Sequence, residues 1–193
     1  MSVEGILSED YIRERLRKTR WVGNQPSQDG AKNAAVLVPF FRMDGEWKLL
    51  LTHRTQSVET HKDQVSFPGG AVEAGDGSPE QTALRETSEE IGIGESLVAI
   101  LGRLDELPTV GYMVTPVVGV IQWPAALTVS KTEVSRVFSV PYDWLADQQN
   151  WEEKPYRLPN GGYGPVTFYH EYDGERIWGI TARIIRDLVQ TLS

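Results

Sequence analysis

Two apolar runs, AAVLVPFFR (Ala34 to Arg42) and WKLLLTHR (Trp47 to Arg54), stand on either side of Asp44-Gly45. An Asp-Gly pair supplies the backbone angles of a tight hairpin turn, which constrains the two runs to pair as antiparallel strands. The stretch QVSFPGGAVE (Gln64 to Glu73) begins as a strand and breaks at Pro68-Gly69-Gly70, because proline lacks the ladder donor and glycine admits positive φ. Tyr112 to Trp123 reads as a buried strand, and Arg136 to Leu145 as a strand running into a turn. Ser8, Glu9 and Asp10 open a helix over residues 8–20, whose Arg17, Lys18 and Arg20 suit its negative end. A C-terminal helix over 181–192 follows from Ile184, Ile185, Leu188, Val189 and Leu192 at helical spacing. The Trp-, Pro- and Gly-rich segment Asn150 to Pro165 reads as a surface loop, and Asp173-Gly174 marks a second hairpin. These elements predict a single α+β domain over residues 1–193 with a mixed sheet.

What such a domain can bind is narrowed by charge and composition. A formal net charge of −8 disfavours nucleic acid as a partner, since phosphate backbones demand concentrated Lys and Arg. A small phosphorylated ligand is still admitted wherever a local Arg or a divalent cation reverses the field. The chain has no cysteine, which excludes disulfides, thiolate metal sites and cysteine nucleophiles. No apolar run reaches membrane-spanning length, and the N-terminus lacks the basic-then-apolar order of a secretory signal, so no membrane partner and a cytoplasmic location are expected. A homodimer is left open by the sequence.

The chemistry concentrates in SPEQTALRETSEEIG (Ser78 to Gly92). Ser78 as N-cap, Pro79 at the first helical position and Gln81 two residues later open a helix, and Gly92 stops it. Leu84, Thr87 and Ile91 share the flank expected to face the core, while Glu86, Glu89 and Glu90 stand together on the other. Spacings of three and four residues bring those carboxylates into proximity, where like charges repel and only Arg85 offers local relief. A Glu-rich helix face is in most chains simply solvated. A hard divalent cation gives a second reading, because Mg²⁺ and Mn²⁺ take oxygen donors and leave positions for water and substrate phosphate. The Gly69-Gly70 turn, with no Cβ, would let backbone approach the same place.

Gly69 to Ile93, GGAVEAGDGSPEQTALRETSEEIGI, resembles the Nudix box: a glycine, an acidic residue, then Arg-Glu-hydrophobic-x-Glu-Glu-x-Gly-hydrophobic. The resemblance implies an α/β/α sandwich around a mixed β-sheet and hydrolysis, dependent on Mg²⁺ or Mn²⁺, of a nucleoside diphosphate linked to a moiety X. It implies that Glu86, Glu89 and Glu90 are metal ligands and that Arg85 orients them by ion pairing. Thr87 departs from the box, as does Asp76, which replaces Glu and is separated from Arg85 by eight residues instead of seven. The Asp and the longer spacing resemble the branch that cleaves coenzyme A, as do both ends of LLTHRTQSVETHKDQVSFPGG (Leu50 to Gly70). Within that signature Thr55, Glu59 and Asp63 differ from the residues the branch carries, Glu59 standing where an Arg is expected. The implied reaction yields 4′-phosphopantetheine and adenosine 3′,5′-bisphosphate, with ADP-ribose and reduced dinucleotides as rival substrates; a nucleotide sensor without turnover is the rival outside enzymology.

Four further positions are candidates. Glu133 is a fourth carboxylate, either a further metal ligand or the base that deprotonates water, weighed against a surface charge. Arg54, at a strand end just before the glycine turn, can meet a phosphate bidentately. His61 is placed to contact a 3′-phosphate or ribose. Trp151 and Tyr156 could stack on an adenine or pin their loop. His53 and His170 carry no metal-binding spacing.

Overall fold

A computed structural model of the chain describes residues 7–17, 30–55, 64–157 and 161–193. The hairpin forms as its turn residues dictate: strands β1 (Lys32–Met43) and β2 (Glu46–Arg54) pair antiparallel, with Met43 opposite Glu46. Asp44 and Gly45 both take positive φ, 56° and 85°, whose twist matches that of the strands they join. Strands β3 (Val65–Ser66) and β4 (Gly69–Ala71) lie on either side of Pro68. β3 pairs with β2, and β4 pairs with the first half of β1, setting Gly69 opposite Val36 and Gly70 opposite Ala35. The carbonyl of Pro68 accepts from the Leu37 amide at 2.8 Å, so the break predicted at Pro68-Gly69-Gly70 carries the chain from β2 to β1.

On the other side of β1 runs β7 (Tyr112–Ile121), parallel to it, while β5 (Val98–Arg103) and β6 (Leu107–Thr109) pair antiparallel with β7. Strand β8 (Val134–Pro141) completes the sheet along β2. The result is an eight-stranded mixed sheet.

β1 is buried on both faces. Ala35, Leu37 and Phe41 point to one side, where they meet Ala83 and Ile91 of helix α2 (Pro79–Ile91). Val38 and Phe40 point to the other, where Ile12 and Leu16 of α1 (Glu9–Leu16) pack with helix α3 (Tyr142–Ala146) and α4 (Gly179–Leu192). With alternate side chains on opposite faces, a strand apolar at consecutive positions needs cover on both. The fold is therefore an α/β/α sandwich of the α+β class. Among the described residues no helix is long and apolar enough to cross a membrane.

Two expectations are corrected. Asn150 to Pro165 is no loop: most of it forms strand β9 (Trp151–Arg157) and the start of β10 (Tyr163–Tyr169), a two-stranded hairpin in which Pro155 faces Pro165. What holds it is aromatic packing. Arg186 of α4 lies over the Trp151 ring at 3.4 Å, and Tyr156 packs on Phe168 and Trp178. Trp151 is thus engaged by α4. The C-terminal helix starts two residues earlier than expected, at Gly179, and α1 is described only to Arg17, so residues 18–20 of the expected helix lie outside the described residues. Asp173-Gly174 does form a turn, closed by reciprocal 2.9 Å bonds between the backbones of Tyr172 and Glu175.

Leu188 is fully buried among α1, α3 and the sheet. Leu188→Ala should lower unfolding free energy by about 2–5 kcal/mol in a urea titration, as expected where a core leucine leaves a cavity.

Candidate active site

Helix α2 is set by its ends. Ser78 Oγ accepts from the Gln81 amide at 3.3 Å, Pro79 occupies the first turn, and Gly92 closes the helix at φ 77° with its amide bonded to Ser88 O. Gln81 reaches one residue further back than a capping box, to the Gly77 amide at 2.6 Å. Leu84, Thr87 and Ile91 are buried as expected, and Thr87 satisfies its hydroxyl on Ala83 O at 2.6 Å, so threonine serves here as a core residue.

With the helix so oriented, Arg85 becomes the hub of the acidic cluster. Its Nε and Nη2 meet the two oxygens of Asp76 at 3.2 and 3.0 Å, a bidentate pair, and Nη2 also reaches Ala71 O at 3.1 Å. Its Nη1 donates to Glu86 Oε1 at 2.9 Å and Glu89 Oε2 at 3.1 Å. The bonds from Arg85, from the Glu73 amide and from Thr82 hold the Asp76 carboxyl at about 2, well below the usual range. Asp76, read from the sequence only as a position in the box, is thus the anchor that fixes the arginine.

Glu90 departs from the expectation that it stands with Glu86 and Glu89 on an open flank. It is 1% exposed. Oε1 accepts from Arg54 Nη1 at 2.8 Å and Oε2 from the Gly69 amide at 3.3 Å. Burial pushes its carboxyl up to about 7, against the pull of Arg54. Glu86 is raised as well, by burial first and then by the charges of Glu89 and Glu133, with Arg85 opposing. Glu133 therefore contributes its field at the cluster despite its distance in sequence. Its carbonyl accepts from the Thr55 amide at 2.9 Å, which ties it to the end of β2 beside Arg54.

The cluster opens onto a cleft of about 340 Å³, within the range of small-molecule sites. Arg54, Gly69, Gly70 and Glu86 line it at the acidic end. A Cβ on Gly69 would lie 2.4 Å from Ala35 O, so that glycine is required by close approach, and one on Gly70 would lie 2.4 Å from Glu86 Oε1 and push that carboxylate aside. The structure thus brings together Arg54, Gly69, Gly70, Arg85, Glu86, Glu89, Glu90 and Glu133. His61, Glu59 and Asp63 lie outside the described residues. His53 is turned to other work, bonded to Glu175 Oε2 at 2.8 Å, with Arg136 on the opposite oxygen at 3.0 Å.

Among the described residues no three carboxylate or imidazole groups converge as a ready cation cage. The donor set nevertheless fits a hard divalent ion. Arg85 occupies one oxygen each of Glu86 and Glu89 and leaves the other, and a dication beside them would oppose the burial and the like charge that lift Glu86.

The NUDIX domain family matches residues 31–159. The chain belongs to the Nudix hydrolase family. It is 38% identical to NudL of Escherichia coli O139:H28, described as an uncharacterized Nudix hydrolase, over 94% of this chain and 93% of that one. NudL of Shigella sonnei is 40% identical over 97% and 96% of the two chains. The Nudix hydrolase RenU of M. smegmatis superposes with a TM-score of 0.52 at 24% identity, covering 61% of this chain and 75% of that one, which shows the shared fold. Nudix hydrolases act on nucleoside diphosphate derivatives and generally use divalent metal ions. The sandwich expected from the Nudix box is the one observed.

Two pH dependences follow. Asp76 is depressed in the folded state, so the stability it contributes is present above the unfolded carboxyl pKa of about 3.9 and lost as pH falls towards 2. Asp76→Asn should flatten that acid limb in a plot of Tm against pH. Glu90 is raised to about 7, so the folded state holds its proton more tightly and loses stability as pH climbs from about 4.3 to 7. In metal-free buffer the Tm of Glu90→Gln relative to wild type should accordingly be higher at pH 8 than at pH 5.

Proposed function

We propose that the protein is a Nudix pyrophosphohydrolase that cleaves coenzyme A or an acyl derivative to 4′-phosphopantetheine, or its acyl form, and adenosine 3′,5′-bisphosphate. The observation that carries the hydrolytic reading is the meeting of Glu86, the Gly69-Gly70 backbone and Arg54 at one end of a cleft, with Glu89 joined to Glu86 through Arg85. The coenzyme A reading is supported by Asp76, by its spacing from Arg85 and by both ends of LLTHR…FPGG. The cytoplasmic nucleotide pool is where this activity would operate.

Glu86, Glu89 and Glu90 would hold Mg²⁺ or Mn²⁺, with Arg85 orienting the first two. Bound there, such ions would neutralise diphosphate charge, polarise phosphorus and acidify water. Arg54 would face substrate oxygens and the Gly69-Gly70 backbone would lie against them, the Gly69 amide being committed to Glu90. His61 is assigned to the 3′-phosphate or ribose. Water adds across the phosphoanhydride: its oxygen ends on one phosphorus, the bridging oxygen leaves with the other phosphate, and Glu133 accepts the proton released.

Glu89 is exposed and takes its one cation from Arg85, so Glu89→Gln should spare the fold. Its kcat should fall on the order of 10²-fold, the scale of a lost catalytic group; undiminished turnover would defeat the assigned role. With Mg²⁺ present, coenzyme A, ADP-ribose and NADH should be compared by release of products. The highest kcat/KM is expected for coenzyme A, and brisk ADP-ribose cleavage without coenzyme A cleavage rejects it as the substrate.

A further inference from the structure

The cleft has two chemically different ends. Arg54 and Glu86 are its charged lining groups among the described residues, and both sit at the glycine turn, Arg54 through its bond to Glu90 and Glu86 through its contact with Gly70. Away from that turn one side of the cleft is aliphatic, built from Val36 of β1, Val65 of β3, Val114 of β7, and Ile180 and Ile184 from the first turns of α4, while Gln64, Ser66, Thr109 and Tyr112 line the remainder. The helix is pinned over the strand, since Thr181 Oγ1 donates to the Val65 carbonyl at 3.0 Å. That bond satisfies a buried polar pair and leaves the wall without an open hydrogen-bonding group at this point.

We infer that this aliphatic end is a subsite for moiety X, and that it takes an extended, uncharged aliphatic chain. The inference rests on the hydrolase reading, which puts the diphosphate at the charged end; continuity of the cleft then carries X between α4 and the sheet. A compact, hydroxyl-rich X such as a sugar would set the hydroxyls of one face against Val65, Val114 and Ile180, and buried polar groups without partners are penalised. A methylene chain instead gains about fourfold in affinity for each group removed from water. Ile180 is the specificity-determining residue to test, because it is only half-buried whereas Ile184 belongs to the core.

Binding and turnover test this separately. By calorimetry in the presence of Mg²⁺, hexyl phosphate should bind at least tenfold more tightly than methyl phosphate, with a negative heat-capacity change that marks apolar burial. Ile180→Gln, checked for an unchanged melting profile, should reduce that preference below threefold. In turnover, Ile180→Gln should lower kcat/KM for the hexyl ester of ADP at least tenfold more than for ADP-ribose, through KM. Equal binding of the two phosphates, or a preference untouched by Ile180→Gln, overturns the subsite. Alkyl preference in binding with neither diphosphate hydrolysed would uphold the subsite and remove the hydrolase reading; hydrolysis of both esters without alkyl preference would do the reverse.

Discussion

Glu90 joins three segments far apart in the chain: helix α2, which carries it, the end of β2 through Arg54, and the glycine turn through the Gly69 amide. A buried carboxylate stripped of its partner costs about 3–5 kcal/mol, so these bonds are obligatory once Glu90 is inside. They fix the distance between the helix bearing the acidic cluster and the strands bearing the cleft. Arg85 then works outward from the same helix, held by Asp76 and holding Glu86 and Glu89. One carboxylate secures the frame and the arginine arranges what faces the ligand.

This division of labour explains why two neighbouring glutamates behave so differently. Glu89 is solvent-facing, whereas Glu90 is enclosed and carries a raised pKa. Charge enclosed beside a cleft strengthens whatever electrostatic interaction it makes, because less water screens it.

Much of this was legible in the chain because it is written in local punctuation. Asp44-Gly45, Ser78-Pro79 and Gly92 each determine their own backbone angles, and the structure places turn, helix start and helix stop where those residues demand. The Nudix box pointed to Arg85, Glu86, Glu89 and Glu90, and its implied sandwich is the fold observed. The burial of Glu90 was not legible, since a helical wheel puts it beside Glu86 and only the position of Arg54 on another strand decides which side is inside. The β9–β10 hairpin was missed because its prolines and glycines imitate a loop, while its stabilising partners, Arg186 and Trp178, lie beyond the segment. The aliphatic wall of the cleft was hidden for a similar reason. Ile180 fell before the expected helix and Ile184 read as part of its apolar face, and the gap they leave over Val65 exists only after assembly.

The parallel pairing of β1 with β7 has a kinetic meaning. Lys32 must meet Tyr112, and every residue of the acidic helix lies in the chain between them. Closing so long a loop costs entropy before any contact repays it, and topologies dominated by distant pairings fold slowly. The central seam of the sheet is therefore a late-forming one, and until it zips the apolar edge of β1 is open to strands of other chains.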